Sequence, residues 1–328
     1  MLFLIGAGFN VDAATEAGPI YGDCSYPLIL DTARLCFDLS AVPTGRSLED
    51  LFSEALARGD YSPVEKLADS LMKADYYLAH RLALSDKPNC YRTFFEMAVG
   101  SHFLTFNYDS LPETFLIRMG CWFPKDGYGM SVDVGMPLNS EKSISQESTS
   151  LVLHLHGSLC LYTTEFEVHR NPGDPMALLR PSVPRYTFDP DAISTNFAPY
   201  GRITPRLGHK PVERRVIAPV RNKAQGLREA FVRQTYDKAL DLVRSSGNLV
   251  AIGYSFNTHD HASYRPILKA LSETAQHNLL VVSPQARQVA ERLRAEYPNL
   301  FVEAIEDTLR NWAAGSFRGL TNIRTAKR

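Results

Sequence analysis

The chain has 328 residues, 45% of them hydrophobic and 22% charged, a balance that excludes an intrinsically disordered protein. That length accommodates one large α/β domain with insertions or two domains of ordinary size. Its 35 basic residues meet 36 acidic ones, for a net charge of −1, so no global attraction to nucleic acid or anionic lipid is implied.

The first element, in chain order, is the apolar run Leu2–Ile5, read as a strand that ends in Gly6-Ala7-Gly8. It has neither the basic start nor the long apolar centre of a secretory signal. Helical patterns follow over Leu48–Arg58, Val64–Leu82 and Tyr91–Val99. Ser47 with Asp50, and Ser62-Pro63 before Glu65, have the form of helix starts. Four more apolar runs then read as buried strands: His102–Phe106, Leu151–Leu155, Leu249–Ile252 and Leu279–Val282. Each ends in polar residues, Gly or Pro, as strands of a parallel sheet covered on both faces do. Leu227–Arg244 and Pro284–Glu296 read as crossover helices. The expected fold is therefore α/β, a doubly wound, Rossmann-like parallel sheet. It is read as a single domain over residues 1–328, with a helical insertion at 20–100 after the first strand. Gly127–Ser150 and Tyr162–Gly208 read as irregular insertions near the sheet edge, and residues 160–213 form a candidate lid.

The five cysteines are Cys24, Cys36, Cys90, Cys121 and Cys160, with no pair at C-x-x-C spacing. They are expected as small apolar residues in a reducing, cytoplasmic compartment. No apolar run approaches the ~20 residues of a membrane span, so no membrane partner is expected. Between Arg202 and Arg233 lie nine Lys or Arg against two acids, Glu213 and Glu229. Phosphates, a nucleic-acid-containing partner or plain solvent would each suit that run, so direct nucleic-acid binding is left open.

Ligands of open α/β sheets bind beyond the carboxyl ends of the strands. Gly6-Ala7-Gly8 opens a loop in which small residues let backbone approach a pyrophosphate. The third glycine of the dehydrogenase fingerprint is replaced by Val11, and no second strand ending in an acid follows, which disfavours hydride transfer. In Leu151–His156 the alternation puts His154 and His156 on one face of a strand. His154 reads as a core histidine satisfied by hydrogen bonds, and His156, at the tip, as a candidate base. Asn107 and Asp109 follow a strand directly. They suit either the orienting of a ribose and a water or an ordinary turn.

Together these segments resemble the sirtuin-like domain. Gly6-Ala7-Gly8-Phe9-Asn10 resembles its G-A-G loop, Thr105-Phe106-Asn107-Tyr108-Asp109 its T-x-N-x-D segment, His156-Gly157-Ser158 its H-G-S segment, and Gly253-Tyr254-Ser255-Phe256 its late G-x-S loop. The four occur in family order over residues 6 to 256. The similarity is greatest to bacterial sirtuin-like NAD hydrolases of anti-phage defence. The resemblance implies NAD as substrate, with Asn107 and His156 catalytic. It implies a cofactor-binding set of Gly6, Ala7, Gly8, Phe9, Asn10, Phe106, Asp109, Gly253, Tyr254, Ser255, Phe256 and Ser283, with Asp109 on the nicotinamide side. Between His156 and Gly253 the only cysteine is Cys160, so the family's four-cysteine zinc ribbon is missing. No zinc is expected, and water is the expected acceptor in place of an acyl-lysine peptide. An NAD hydrolase needs control, so a homo-oligomer or a defence partner such as an ATPase or an Argonaute-like protein is expected. The alternatives are a non-catalytic NAD or ADP-ribose sensor, or an NAD-dependent deacylase or ADP-ribosyltransferase.

Overall fold

The computed structural model describes residues 1–18, 25–123, 126–130, 133–134, 147–164, 185–188, 213–216, 223 and 230–320. Strand β1 (Leu2–Ile5) leads into a 3-10 turn (Ala7–Asp12) and a short helix α1 (Ala13–Ala17). Helices α2 (Ile29–Phe37), α3 (Leu48–Ala57), α4 (Ser62–Ala74), α5 (His80–Leu84) and α6 (Cys90–Met97) precede β2 (His102–Thr105). The caps are local and readable. Ser47 Oγ accepts from the Asp50 amide at 3.2 Å while the Asp50 carboxylate accepts from the Ser47 amide at 3.0 Å, a reciprocal box that starts α3. The Asn89 side chain does the same service for α6 through the Arg92 amide. The single helix expected over Val64–Leu82 is instead α4 and α5 joined by a π-helical turn, Asp75–Ala79. Its first residue is the buried Asp75, which accepts hydrogen bonds from Tyr26 and Ser110. A widened turn of this kind commonly marks a functional position.

After β2 come α7 (Leu111–Arg118), β3 (Asp133–Val134), β4 (Val152–His154), β5 (Gly157–Thr164), β6 (Arg185–Phe188) and β7 (Glu213–Val216). The chain closes with α8 (Ala230–Ser246), β8 (Asn248–Ile252), α9 (His261–Ser272), β9 (Asn278–Val282), α10 (Ala286–Glu296), β10 (Phe301–Ile305) and α11 (Leu309–Ala314). Six strands form one parallel sheet in the order β4-β2-β1-β8-β9-β10. Numbered by their place in the chain, these six read 3-2-1-4-5-6, the doubly wound order of dinucleotide-binding sheets. The α/β, Rossmann-like expectation holds.

Two details depart from the sequence reading. A sixth strand, β10, closes one edge. It lacks a continuous apolar run because the edge position buries only part of it, and Phe301 is 58% exposed. The segments read as irregular contain β3, β6 and the end of β5, which with β7 just beyond them form a second sheet in the order β3-β6-β5-β7, with β5 antiparallel to both of its neighbours. The rest of residues 160–213, and much of the basic run from Arg202 to Arg233, lies outside the described residues.

Alternation along the strands divides the core in two. Phe3 and Ile5 of β1 join Phe94, Phe95, Phe115 and Trp312 from α6, α7 and α11 on one face. Leu2 and Leu4 join Val243, Ile267, Leu271, Val289 and Leu293 from α8, α9 and α10 on the other. Helices α6 and α7, joined by α11 from beyond β10, thus cover one face, and α8, α9 and α10 cover the other. The direction of winding reverses between β1 and β8. Pairing is in register along the whole carboxyl edge, from His154 through Thr105, Ile5, Ile252 and Val282 to Ile305.

Gly253 stands where that reversal is tightest, with φ at +64° and space for a Cβ only 2.1 Å from the Phe9 nitrogen. Gly59 also has positive φ (+75°), but open space around it. Gly59→Ala is expected to cost only the ~1–2 kcal/mol of a left-handed non-glycine residue. Gly253→Ala should cost clearly more, because the Phe9 backbone must also shift. Denaturant unfolding of the two variants beside the parent checks this, and equal losses would refute it.

Candidate active site

The loops after β1 and β8 meet backbone to backbone. The Gly6 amide donates to the Ile252 carbonyl at 3.0 Å and the Gly8 amide to the Gly253 carbonyl at 2.9 Å. A Cβ on Gly6 would lie 2.7 Å from Gly253 O and from Tyr254 Cα. The glycines are therefore required by this mutual seating, before any ligand is considered. The seating holds Ala7 exposed and Gly8 half-buried at the reversal point. Arg292 of α10 secures the second loop by donating to the carbonyls of Ser255 (2.8 Å) and Phe256 (2.6 Å). Phe256 needs that support, since its φ of 51° is left-handed. Phe9 and Phe256 are fully buried, and Phe106 and Tyr254 nearly so. Their rings are anchors: Phe9 packs edge-on against Tyr91 and Phe94, and Tyr254 stacks on Phe106 at 4.6 Å. Any contact these four make with a ligand comes mainly from backbone. Ser255 is exposed beside the loop, and Ser283 is buried past the end of β9 with its Oγ unpartnered among the described residues.

One strand over, β2 delivers Asn107 and Asp109. Asn107 is half-buried, its amide bonded to Thr105 Oγ1 at 3.0 Å and its Nδ2 to the Gly6 carbonyl at 3.2 Å. Asp109 is buried and accepts from Asn10 Nδ2 at 2.7 Å and from the Leu111 amide at 3.2 Å. Asn10, Asn107 and Asp109 thus converge with Gly6. Burial pushes the Asp109 carboxyl up to about 6, against the pull of its two hydrogen bonds. Asp75 is buried beside this cluster, bonded to the Ser110 amide at 2.8 Å and to the Tyr26 hydroxyl at 2.7 Å. Burial, and then the charge of Asp109, raises its carboxyl as well.

The two histidines do not share a face. Strand β4 ends at His154, and the chain turns through Leu155 and His156 into Gly157, whose φ is +81°. The alternation that placed both rings together therefore stops one residue too early. His154 points toward α7, with Nε2 2.5 Å from Glu113 Oε1 and Nδ1 3.0 Å from the Asn107 carbonyl. It is a satisfied buried histidine, as the sequence reading has it. Burial alone would lower His154, but the charge and hydrogen bond of Glu113 outweigh it and hold the imidazole above its ordinary value. His156 turns to the opposite side, where its Nε2 lies 2.9 Å from Ser263 Oγ of α9 and its ring packs on Phe106 at 4.8 Å. It is only 3% exposed. Burial, assisted by the charge of Lys223, depresses it well below its ordinary value, so it is neutral at pH 7. Lys223 itself is buried in an ion pair with Asp260.

Sequence reasoning missed Asp75, Glu113, Ser263 and Arg292. All four sit on helical elements, and their roles depend on which strand tip each element happens to cover. Among the described residues, no three His, Cys, Asp or Glu side chains converge as metal ligands, and no helix is long and apolar enough to cross a membrane.

Neither a family model nor a curated protein matches the chain. Among solved structures it is similar to two mutant Sir2 homologues in complex with ADP-ribose. The first aligns at 15% identity over 99% of this chain and 92% of the other, and the second at 14% over 100% and 94%, each with a TM-score of 0.40.

The raised Asp109 carboxyl makes stability depend on pH. An unfolded aspartate titrates near ~3.9, so the folded chain binds the extra proton between about pH 4 and pH 6. Folding stability from this group is full below that window and is lost as pH rises through it, by on the order of 3 kcal/mol. Asp109→Asn should flatten the fall. Denaturant midpoints from pH 4 to 7 check this, and an unchanged slope in the variant would remove the assignment.

Proposed function

We propose that this chain binds NAD across the reversal between β1 and β8 and cleaves its bond between nicotinamide and ribose, with water as acceptor. The observation that carries the reading is the convergence of Asn10, Asn107 and Asp109 with the Gly6 loop at one side of that reversal. Sheets of this order take dinucleotides at that point. The exposed Ala7 and Ser255, the half-buried Gly8 and the buried Ser283 would face the pyrophosphate and adenosine end. Asn10, Asn107 and Asp109 would face the ribose and nicotinamide end. The motif order seen in the sequence supports the same placement. The association with anti-phage defence, the control by a partner or by self-assembly, and the cytoplasmic setting belong to this reading too.

Nicotinamide leaves NAD without needing a proton, because the departing ring is already cationic. The barrier lies in the positive character that grows on the ribose carbon, as in glycoside cleavage generally. Asn107 is fixed through its amide and its Nδ2, and its Oδ1 accepts from no described residue. That oxygen can orient a ribose hydroxyl or the attacking water. His156 is neutral, the form a base needs, although its low basicity makes it a weak one. Its Nε2 must exchange Ser263 for a ribose hydroxyl or water before it can act.

That last requirement favours a second reading at one point. A histidine 3% exposed and already bonded suits an NAD or ADP-ribose sensor that transmits binding without turnover. Product analysis separates the two. Purified protein given NAD is expected to yield nicotinamide and ADP-ribose. Asn107→Ala and His156→Gln should each lower turnover by about 100-fold or more, with thermal midpoints near the parent's. Saturable NAD binding with no product from the parent would favour the sensor, and label transferred to protein would favour an ADP-ribosyltransferase.

A further inference from the structure

The buried pair Glu113–His154 lies outside the set of residues just assigned, yet it ends on one of them. Glu113 is fully buried on α7, and its Oε1 faces His154 Nε2 at 2.5 Å. The other ring nitrogen, Nδ1, is 3.0 Å from the Asn107 carbonyl oxygen. A carbonyl has no proton to give, so Nδ1 must carry the hydrogen and donate it. Nε2 and Oε1 then share a single proton. With none between them, a carboxylate would face a bare lone pair at hydrogen-bond distance. The arrangement is a one-proton relay of fixed polarity, and its outward end grips the backbone of Asn107.

Stability alone accounts poorly for this pair. Buried ion pairs are often matched or bettered by apolar residues of the same shape. Among the described residues Glu113 Oε2 also finds no hydrogen-bond partner, so part of its desolvation cost is not offset there. The neighbours on the same face, Val152, Leu111 and Phe115, show that apolar packing is available there. The placement does accomplish one specific thing. Asn107 is already tied through its amide to Thr105 and through Nδ2 to Gly6. The bond from His154 fixes its carbonyl and so the third corner of the residue.

We propose that Glu113 and His154 are positioning residues that set the orientation of Asn107 for NAD cleavage; the proposal rests on the role given to Asn107 above. Two readouts test it in the full chain. Asn107-Tyr108 is the only Asn-Tyr step in the sequence, so carbonyl-13C asparagine with 15N tyrosine labels that one peptide bond for NMR. Glu113→Ala and His154→Leu should move this single resonance. Glu113→Gln should restore it, because the glutamine amide can donate into Nε2 and leave the Nδ1 proton on the carbonyl. In steady-state NAD cleavage, Glu113→Ala should lower kcat about tenfold or more with KM within about threefold, and Glu113→Gln should recover most of the loss. A resonance unmoved in either removal variant overturns the proposal, whatever the kinetics. A resonance that moves while kcat holds, in a parent that does cleave NAD, overturns the positioning role. A parent inert toward NAD overturns the cleavage reading, and with it the catalytic purpose of the pair. If Glu113→Ala does not fold, His154→Leu and Glu113→Gln give the same decision.

Discussion

Everything at the candidate site depends on the contact between two loops, those after β1 and β8, which meet main chain to main chain. In-register pairing brings all six strands to a common carboxyl edge. At the reversal between β1 and β8 the chain departs to opposite faces, and a crevice opens only if nothing bulky fills it. Gly6, Gly8 and Gly253 meet that condition by packing main chain on main chain, fixed by the bonds Gly6–Ile252 and Gly8–Gly253. From that platform the Gly6 carbonyl reaches the Asn107 amide, and four residues on Asn10 reaches Asp109. A shift of the loop would carry both asparagine contacts with it.

The acids beneath the first two strand tips are a cost that this platform has to carry. Asp75, Asp109 and Glu113 are all nearly or fully buried on the face covered by α6 and α7. Burying a carboxylate is unfavourable unless it is paired or well bonded. Here the compensation is specific: Tyr26 and Ser110 for Asp75, Asn10 and the Leu111 amide for Asp109, His154 for Glu113. The raised carboxyls of Asp75 and Asp109 show that it is incomplete. A cation arriving at this face would complete it by favouring the ionised forms. In the proposed reading the nicotinamide end of NAD brings that charge, which orients the dinucleotide with nicotinamide toward β2 and adenosine toward β9.

Much of this frame is legible in the sequence, for a physical reason. Buried parallel strands must be apolar on both faces, so Leu2–Ile5 and Leu249–Ile252 announce themselves, and the polar or glycine residue that follows each marks the rim. β10 stays hidden because an edge strand obeys that rule only in part, and Phe301 is exposed. The small sheet stays hidden because β3, β6 and β7 are short and charged or polar in part. Among site residues, Asn107, Asp109 and His156 stand next to strand ends and could be named. Asp75, Glu113 and Ser263 could not, because a helix shows its buried face by periodicity but never which strand tip that face will meet. The pairing of His154 with His156 failed on a matter of one residue, the turn that begins at Leu155.

That turn has the larger consequence. Two histidines two positions apart reach opposite faces of the sheet and acquire opposite electrostatics. His154 meets a carboxylate and is held proton-rich, while His156 meets Phe106, Ser263 and the field of Lys223 and is held neutral. A proton-sharing pair is suited to holding a backbone carbonyl, because its polarity is fixed. The neutral imidazole of His156 can accept a proton from a ligand only after its Nε2 gives up Ser263. Had the strand run on through His156, both rings would have faced α7 and competed for Glu113. In the proposed reading, ending β4 at His154 separates a structural task from a chemical one and leaves the second on the side that α9 covers. Ser263 bonds the His156 Nε2, and Phe106, stacked on Tyr254, packs on its ring, so in the proposed reading access to the base depends on α9 and the Tyr254 loop. The Tyr254 loop also seats Gly6 and Gly8, so in the proposed reading a ligand at the reversal point and the exposure of His156 are linked through one loop.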